Sequence, residues 1–201
     1  MTSHAQAFPP NPAPWAEIVR GVGPMTADDL LTLPDDGYIY EVIEGVLVRM
    51  AGSGDLATET AFILGAALLA FVRPRRLGFV TGADGVYTFP TARTGLIPDV
   101  GFYVAANRAR IVDRTKPIPF APDLAVEVAS PSQSQEAMAA KARRYLVGGT
   151  RLVWVVWPED QQIDVWRRGD ALPSETLSIG GFLTGDDVIP GFTHPVADLF
   201  S

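Results

Sequence analysis

Asp123-Leu-Ala-Val-Glu-Val-Ala129, Ser130-Pro-Ser132, Gln133 to Val147, Gly148-Gly149 and, two residues on, Leu152-Val-Trp-Val-Val-Trp157 follow one another along the chain. The first segment is a short aliphatic run with β-branched residues, the pattern of a strand. In the third, Lys141 and Tyr145 stand four apart and share one helical face. The paired glycines end that helix. The last segment is apolar at every position, as a strand buried on both faces requires. Strand, helix, strand is long enough here for a crossover between neighbouring strands.

Upstream of this unit, Thr26-Ala-Asp-Asp29 has the form of a helix cap, and a short helix is expected over Ala27 to Leu33. Tyr38 to Ile43 and Val46 to Met50 read as two strands around a Glu44-Gly45 turn. Ala61, Leu64, Leu68 and Val72 recur at three and four, which predicts a helix over 57–72 stopped by Pro74. Strands are expected at 78–81, 85–89 and 99–104, followed by a polar loop to Pro122. Downstream, 161–167 alternates and pairs as a hairpin with 152–157, and one more strand lies in the tail from Thr176. Residues 1–24 are Pro-rich and aperiodic, and read as an arm outside the core. Residues 25–201 read as a single α+β (α/β-like) domain with one mixed central sheet.

The bulk numbers narrow the function. The 201 residues are 47% apolar, enough for one domain with a substantial core. There is no cysteine, which removes disulfides, thiolate metal sites and cysteine nucleophiles. The two histidines lie in the tail and in a late loop, away from any Ser-His-Asp pattern. A net charge of −7 argues against broad electrostatic gripping of nucleic acid, although Arg73, Arg75 and Arg76 cluster, as do Arg143 and Arg144. The longest apolar stretch, Ala61 to Val72, is short for a bilayer span, and the first residues lack the pattern of a secretory signal. A cytoplasmic protein without membrane contact is the expectation.

Two carboxylates stand out. Glu127 interrupts an aliphatic strand, and Asp99 opens another after Pro98. A carboxylate taken out of water without a partner costs several kcal/mol or neutralises itself. A shared divalent cation would account for both, since hard cations prefer carboxylate oxygens. Each residue also has an ordinary reading: a strand-end acceptor for Asp99, an arginine ion pair for Glu127, a surface charge for Lys141. Glu41, in the strand Tyr40-Glu-Val-Ile43, could add a carboxylate to the same pocket.

Several motifs in series resemble one family. They are Leu33-Pro-Asp-Asp-Gly-Tyr-Ile-Tyr-Glu-Val-Ile-Glu-Gly-Val-Leu-Val48, Pro98-Asp-Val100, Pro122-Asp-Leu-Ala-Val-Glu-Val-Ala-Ser-Pro-Ser132, Lys141-Ala-Arg-Arg-Tyr145, Gly149, Val153-Trp-Val-Val156 and Leu183-Thr-Gly-Asp-Asp-Val-Ile-Pro-Gly-Phe192. Over about residue 25 to 201 the chain resembles the Uma-two family of the PD-(D/E)XK nuclease superfamily. The resemblance implies a restriction-endonuclease-like core, a mixed central sheet flanked by helices, with added β-hairpins. It implies that Asp99 and Glu127 bind Mg²⁺ or Mn²⁺, with Lys141 the basic member and Glu41 matching an early glutamate. In the usual superfamily pattern the lysine lies two residues after the acid; here Ala129 stands there, and Lys141 would reach the pocket from the next helix. Relatives often carry a histidine where this chain has Glu59-Thr60, Glu-Tyr-Trp where it has Leu152-Val-Trp154, and Asp where it has Trp157.

The resulting expectation is a metal-dependent endonuclease acting on nucleic acid, DNA first. Lys141 would stabilise transition-state charge, and the chain would pair as a homodimer through its arm or a hairpin edge. The alternative is a catalytically silent nuclease-fold module for binding or assembly.

Overall fold

The computed structural model describes residues 13–50, 52–90 and 93–201. In chain order the elements are β1 (Glu17–Ile18), β2 (Ile39–Ile43), β3 (Val46–Met50), α1 (Asp55–Arg75), β4 (Gly78–Thr81), β5 (Tyr87–Thr88), β6 (Gly95–Leu96) and β7 (Val100–Val104). Then follow β8 (Leu124–Val128), α2 (Gln135–Val147), β9 (Leu152–Trp157), β10 (Gln162–Arg167), β11 (Glu175–Leu177), β12 (Phe182–Thr184) and β13 (Thr193–Pro195). Short 3-10 turns lie at Asp28–Thr32, Ala105–Arg110 and Val196–Leu199.

The strand–helix–strand unit sits at the centre. β8 and β9 are parallel, with Glu127 beside Val155, and α2 makes the crossover. Around them a six-stranded sheet runs β11-β10-β9-β8-β7-β4, its other pairings all antiparallel. The fold is therefore α+β with a mixed sheet.

Strand alternation sends side chains to two different layers. Val100, Phe102, Leu124, Val126, Val128, Leu152, Trp154 and Val156 face a dry layer under α1, filled by Leu64, Leu68 and Val72 and closed by the C-terminal residues Leu183, Ile189, Phe192 and Leu199. Ala125, Ala129, Val153 and Val155 face the other way, toward α2, which buries Ala137, Met138, Ala142, Tyr145 and Leu146. Glu127, one position from Val126 and Val128, shares this second face.

A second sheet, β1-β3-β2-β6-β5, covers that second layer and contributes Ile43, Val48, Tyr87 and Leu96 to it. The expectation of one sheet thus gives way to two and a small β12-β13 ribbon. β5 falls inside the strand expected at 85–89 but is only two residues long, and β6, also two residues, is too short to carry a period, so nothing in the sequence separates β6 from loop.

Three further differences have physical causes. α1 runs through Pro74 and stops at Arg76, whose left-handed backbone (φ 56°) lets its N–H reach Arg73 and Val72 carbonyls. A proline in the last turn forfeits one bond near an end that frays in any case. At 21 residues α1 is long and apolar enough to cross a bilayer by length and composition alone, yet its Leu64–Leu68–Val72 stripe is buried against the sheet. Lastly, part of the arm expected at residues 1–24 is docked on the domain, over Ala13 to Val19, while residues 20–24 are exposed. β1 pairs with β3, Val19 N–H donates to Leu47, and Ala13 and Trp15 are buried. A two-residue strand carries no periodicity that a sequence reading could detect. Residues 1–12 lie outside the described residues.

Candidate active site

Asp99 ends the β7–β8 ladder. Its Oδ2 accepts the Val128 N–H at 2.7 Å, so the strand-end reading of this aspartate is correct as far as it goes. The register Val100↔Val126 carried one step further sets Asp99 opposite Glu127.

Glu127 is 4% exposed, and its partner is Lys141 rather than an arginine. Lys141 Nζ donates to Oε2 at 2.8 Å, and the Tyr145 hydroxyl donates to Oε1 at 2.6 Å. Both donors come from one face of α2, one turn apart, set above β8 by the crossover. Lys141 is 2% exposed, which rules out the reading of it as a surface charge. Its second carboxylate neighbour is Glu41 of β2, at 3.3 Å. The remaining contact of Nζ is the Met50 sulfur at 3.9 Å, a weak acceptor.

Glu41 is fully buried and fully engaged. Oε1 accepts the Ile97 N–H at 3.0 Å, and Oε2 accepts the Trp15 indole N–H at 3.1 Å. The structure therefore brings all four sequence-predicted residues together: Lys141 pairs with Glu127 and Glu41, and Asp99 shares a cavity wall with Glu127 and Lys141.

A cavity of about 40 Å³ opens beside Asp99, Glu127 and Lys141, walled also by Met50, Ser53 and Gln133. Glu41 is not part of its wall. Such a space holds a small ion or a water, for which roughly 10–15 Å³ suffices. Through Ile39, Ser53, Ala83 and Asp99 it joins a groove of about 510 Å³ along α1, where Phe62 stands 77% exposed.

Charge explains the titration behaviour. Three carboxylates (Asp99, Glu127, Glu41) face one ammonium, so full ionisation leaves an excess of two negative charges. Burial, with the negative charge of Asp99 and Glu41 added, raises the Glu127 pKa against the pull of Lys141. Burial likewise raises Asp99, opposed by Lys141 and the Val128 N–H. For Lys141 burial favours the neutral amine, but Glu127, Glu41 and Asp99 outweigh it and hold the ammonium protonated. Burial first, and then Glu127, keep the Tyr145 phenol protonated and donating.

Two members of this network escape a sequence reading of the chemistry. Tyr145 had a signal, its spacing of four from Lys141, but a tyrosine on an apolar face ordinarily means packing. Trp15 had only its indole N–H, a polar handle that buried tryptophans place on an acceptor.

Among the described residues no three His, Cys, Asp or Glu side chains form a ready cage for a metal ion. The donor set nonetheless fits one held in another way. Magnesium is ordinarily bound by one or two carboxylates, with waters and substrate phosphates completing its shell. Two hard-oxygen donors, a small adjoining space and an excess of two negative charges match that mode.

No curated protein matches this chain. A crystal structure from Anabaena variabilis ATCC 29413, described as "a putative nuclease belonging to DUF820", superposes with a TM-score of 0.70 at 23% identity, over 88% of this chain and 98% of that one. At that identity the likeness shows a shared fold. The profile of the Uma2 family, described as "Putative restriction endonuclease", matches residues 27–197, a span that holds the mixed sheet, α2, Asp99, Glu127 and Lys141, and the chain is a member of that family.

Proposed function

We propose that this protein is a metal-dependent nuclease that hydrolyses phosphodiester bonds in nucleic acid, DNA first. The observation that carries this reading is the reach of Lys141 from α2 to Glu127, at 2.8 Å, beside the carboxylate of Asp99. Family membership supplies the chemical context.

Asp99 and Glu127 would hold Mg²⁺ or Mn²⁺, which when bound supplies Lewis acidity toward a phosphate oxygen and lowers the pKa of a coordinated water. The chain's own residues do the rest. Tyr145 and Lys141 lock the two oxygens of Glu127 in place, so its orientation needs no adjustment during reaction. The Val128 N–H fixes Asp99 through Oδ2, and Oδ1 has no hydrogen bond among the described residues. Among the described residues the third partner of the Lys141 ammonium, beyond its two carboxylates, is the Met50 sulfur at 3.9 Å, a weak acceptor that a phosphate oxygen at the cavity would replace. A positive charge already fixed where negative charge develops stabilises the transition state without reorganisation. The groove along α1 gives a strand access to Asp99.

The test is cleavage of DNA and RNA oligonucleotides in Mn²⁺. The parent is expected to cut at least one of them and the Asp99→Ala and Glu127→Ala variants to cut neither; equal cutting by all three would sink the assignment.

One observation favours a second reading, a nuclease fold kept as a silent module: both Glu127 oxygens already have donors. Calorimetric titration separates the two. Mn²⁺ binding lost in Glu127→Ala supports the enzyme, and no binding by the parent supports the module.

A further inference from the structure

The family match begins at residue 27, but the buried network does not. Its outermost hydrogen bond comes from Trp15, on a segment that precedes the matched region. That segment is built in: Trp15 packs with Ile43 and Val48, Glu17 pairs with Arg49 across β1 and β3, and the Met25 N–H reaches Gly45.

We infer that Trp15 is a positioning residue of the active site, and that it acts on Lys141 through Glu41. The inference rests on the nuclease reading above. Glu41 has no exposure, so each of its oxygens depends on a protein donor. Oε1 is shared between the Ile97 N–H at 3.0 Å and Lys141 at 3.3 Å. Oε2 has the Trp15 indole at 3.1 Å. Deleting that N–H leaves half of a buried carboxylate without its donor, and the group relieves this by rotating or by taking a proton. Either change alters the 3.3 Å contact by which Glu41 holds Lys141. The ammonium then rests on Glu127 alone and shifts where Lys141 lines the cavity. Trp15 itself touches neither the cavity wall nor any candidate metal ligand among the contacts described, so its effect is relayed.

The molecule contains its own control. The indole N–H of Trp166 is buried and unpartnered among the described residues. Trp15→Phe and Trp166→Phe therefore remove the same atoms from two buried sites, with a hydrogen bond lost only at the first.

The experiment uses the full chain with Mn²⁺ and an oligonucleotide that the parent cuts. Trp15→Phe is expected to lower kcat about 10-fold with KM unchanged, the scale of one charge-assisted hydrogen bond. Trp166→Phe stays within about twofold of the parent, a control spread far smaller than one such bond. Adding Trp15→Phe to Glu41→Gln produces no further loss, because both act through one contact. Equal kcat for the two tryptophan variants, or losses that multiply in the double variant, overturns the inference. A parent that cuts nothing defeats the nuclease reading instead, and a second readout then decides. The ¹⁵N resonance of Lys141 Nζ shifts in Trp15→Phe and holds in Trp166→Phe if Trp15 positions the lysine; an unmoved resonance in Trp15→Phe refutes the relay whatever the catalytic result.

Discussion

The β7–β8 pair carries a Pro-Asp step at each end, and the two ends have become different things. Asp99 accepts the Val128 N–H at 2.7 Å; Asp123, at the opposite end, accepts the Val104 N–H at 2.9 Å. The backbone role is the same: a short acceptor after a proline closes the ladder of the partner strand. The surroundings differ. Asp123 also receives the Asn107 amide at 3.2 Å and has Arg151 at 3.9 Å, so donors and a cation gather around it. Asp99 stands opposite Glu127, and Glu41 adds a third carboxylate beside Lys141, so negative charge accumulates there. A Pro-Asp step thus specifies a strand end. At the Asp99 end the facing residue is a second acid, and α2 brings a single cation to three carboxylates.

The largest expected effect breaks the two ends apart by activity. Asp99→Ala or Glu127→Ala should lower Mn²⁺-dependent cleavage by at least about 100-fold, the scale of losing one preorganised charge-stabilising group. Asp123→Asn should stay within about twofold of the parent, a change well under the energy of one hydrogen bond. A comparable loss in Asp123→Asn would show that both ends serve only the fold.

Stability comes next. Lys141→Met strands buried carboxylates and should cost about 3–5 kcal/mol in urea unfolding. Arg151→Met, at the other end and one-third exposed, should cost less than about 1 kcal/mol. Converting Glu127 to Gln in the Lys141→Met background should recover part of the loss, because it removes the stranded charge.

The ends should also differ in pH response. The Glu127 pKa lies above its ordinary value of 4.5, at about 8, so the folded metal-free protein binds more protons than the unfolded chain between those limits. Stability then falls as pH rises through that window, and the stabilising contribution is complete only below about 4.5. Asp99, also raised, adds to the same slope. Urea unfolding at pH 5 and pH 8 should show the decline in the parent and in Asp123→Asn, and a flatter profile in Glu127→Gln. An unchanged slope in Glu127→Gln would assign the decline to other groups. The smallest effect is the strand-end bond itself: Asp123→Asn should cost only about 1 kcal/mol, since the amide oxygen still accepts the Val104 N–H.

How much of this could be read from residues alone follows from range. Glu127 was legible because an acid in an aliphatic strand violates the local pattern. Lys141 and Tyr145 were placed on one face by helical period, which is also local. That the face lies over β8 required the crossover, which the strand–helix–strand order implied. Trp15 meeting Glu41 depends on a contact across 26 positions, made by a two-residue strand, and no local period announces it. The separate pairing of the second sheet was hidden for the same reason: β2, β3 and the β5 stretch carry strand patterns, but β6, which joins them, forms by pairing with its partners rather than by pattern. Pro74 misled because a proline usually ends a helix, and here the last turn tolerated it.

The most direct measurement is anomalous diffraction from crystals soaked in Mn²⁺. The account predicts a manganese peak in the cavity beside Asp99 and Glu127, absent in Glu127→Ala crystals, and none at Asp123. Soaked crystals with no peak at Asp99 and Glu127, or with equal peaks at both ends of the strand pair, would contradict it.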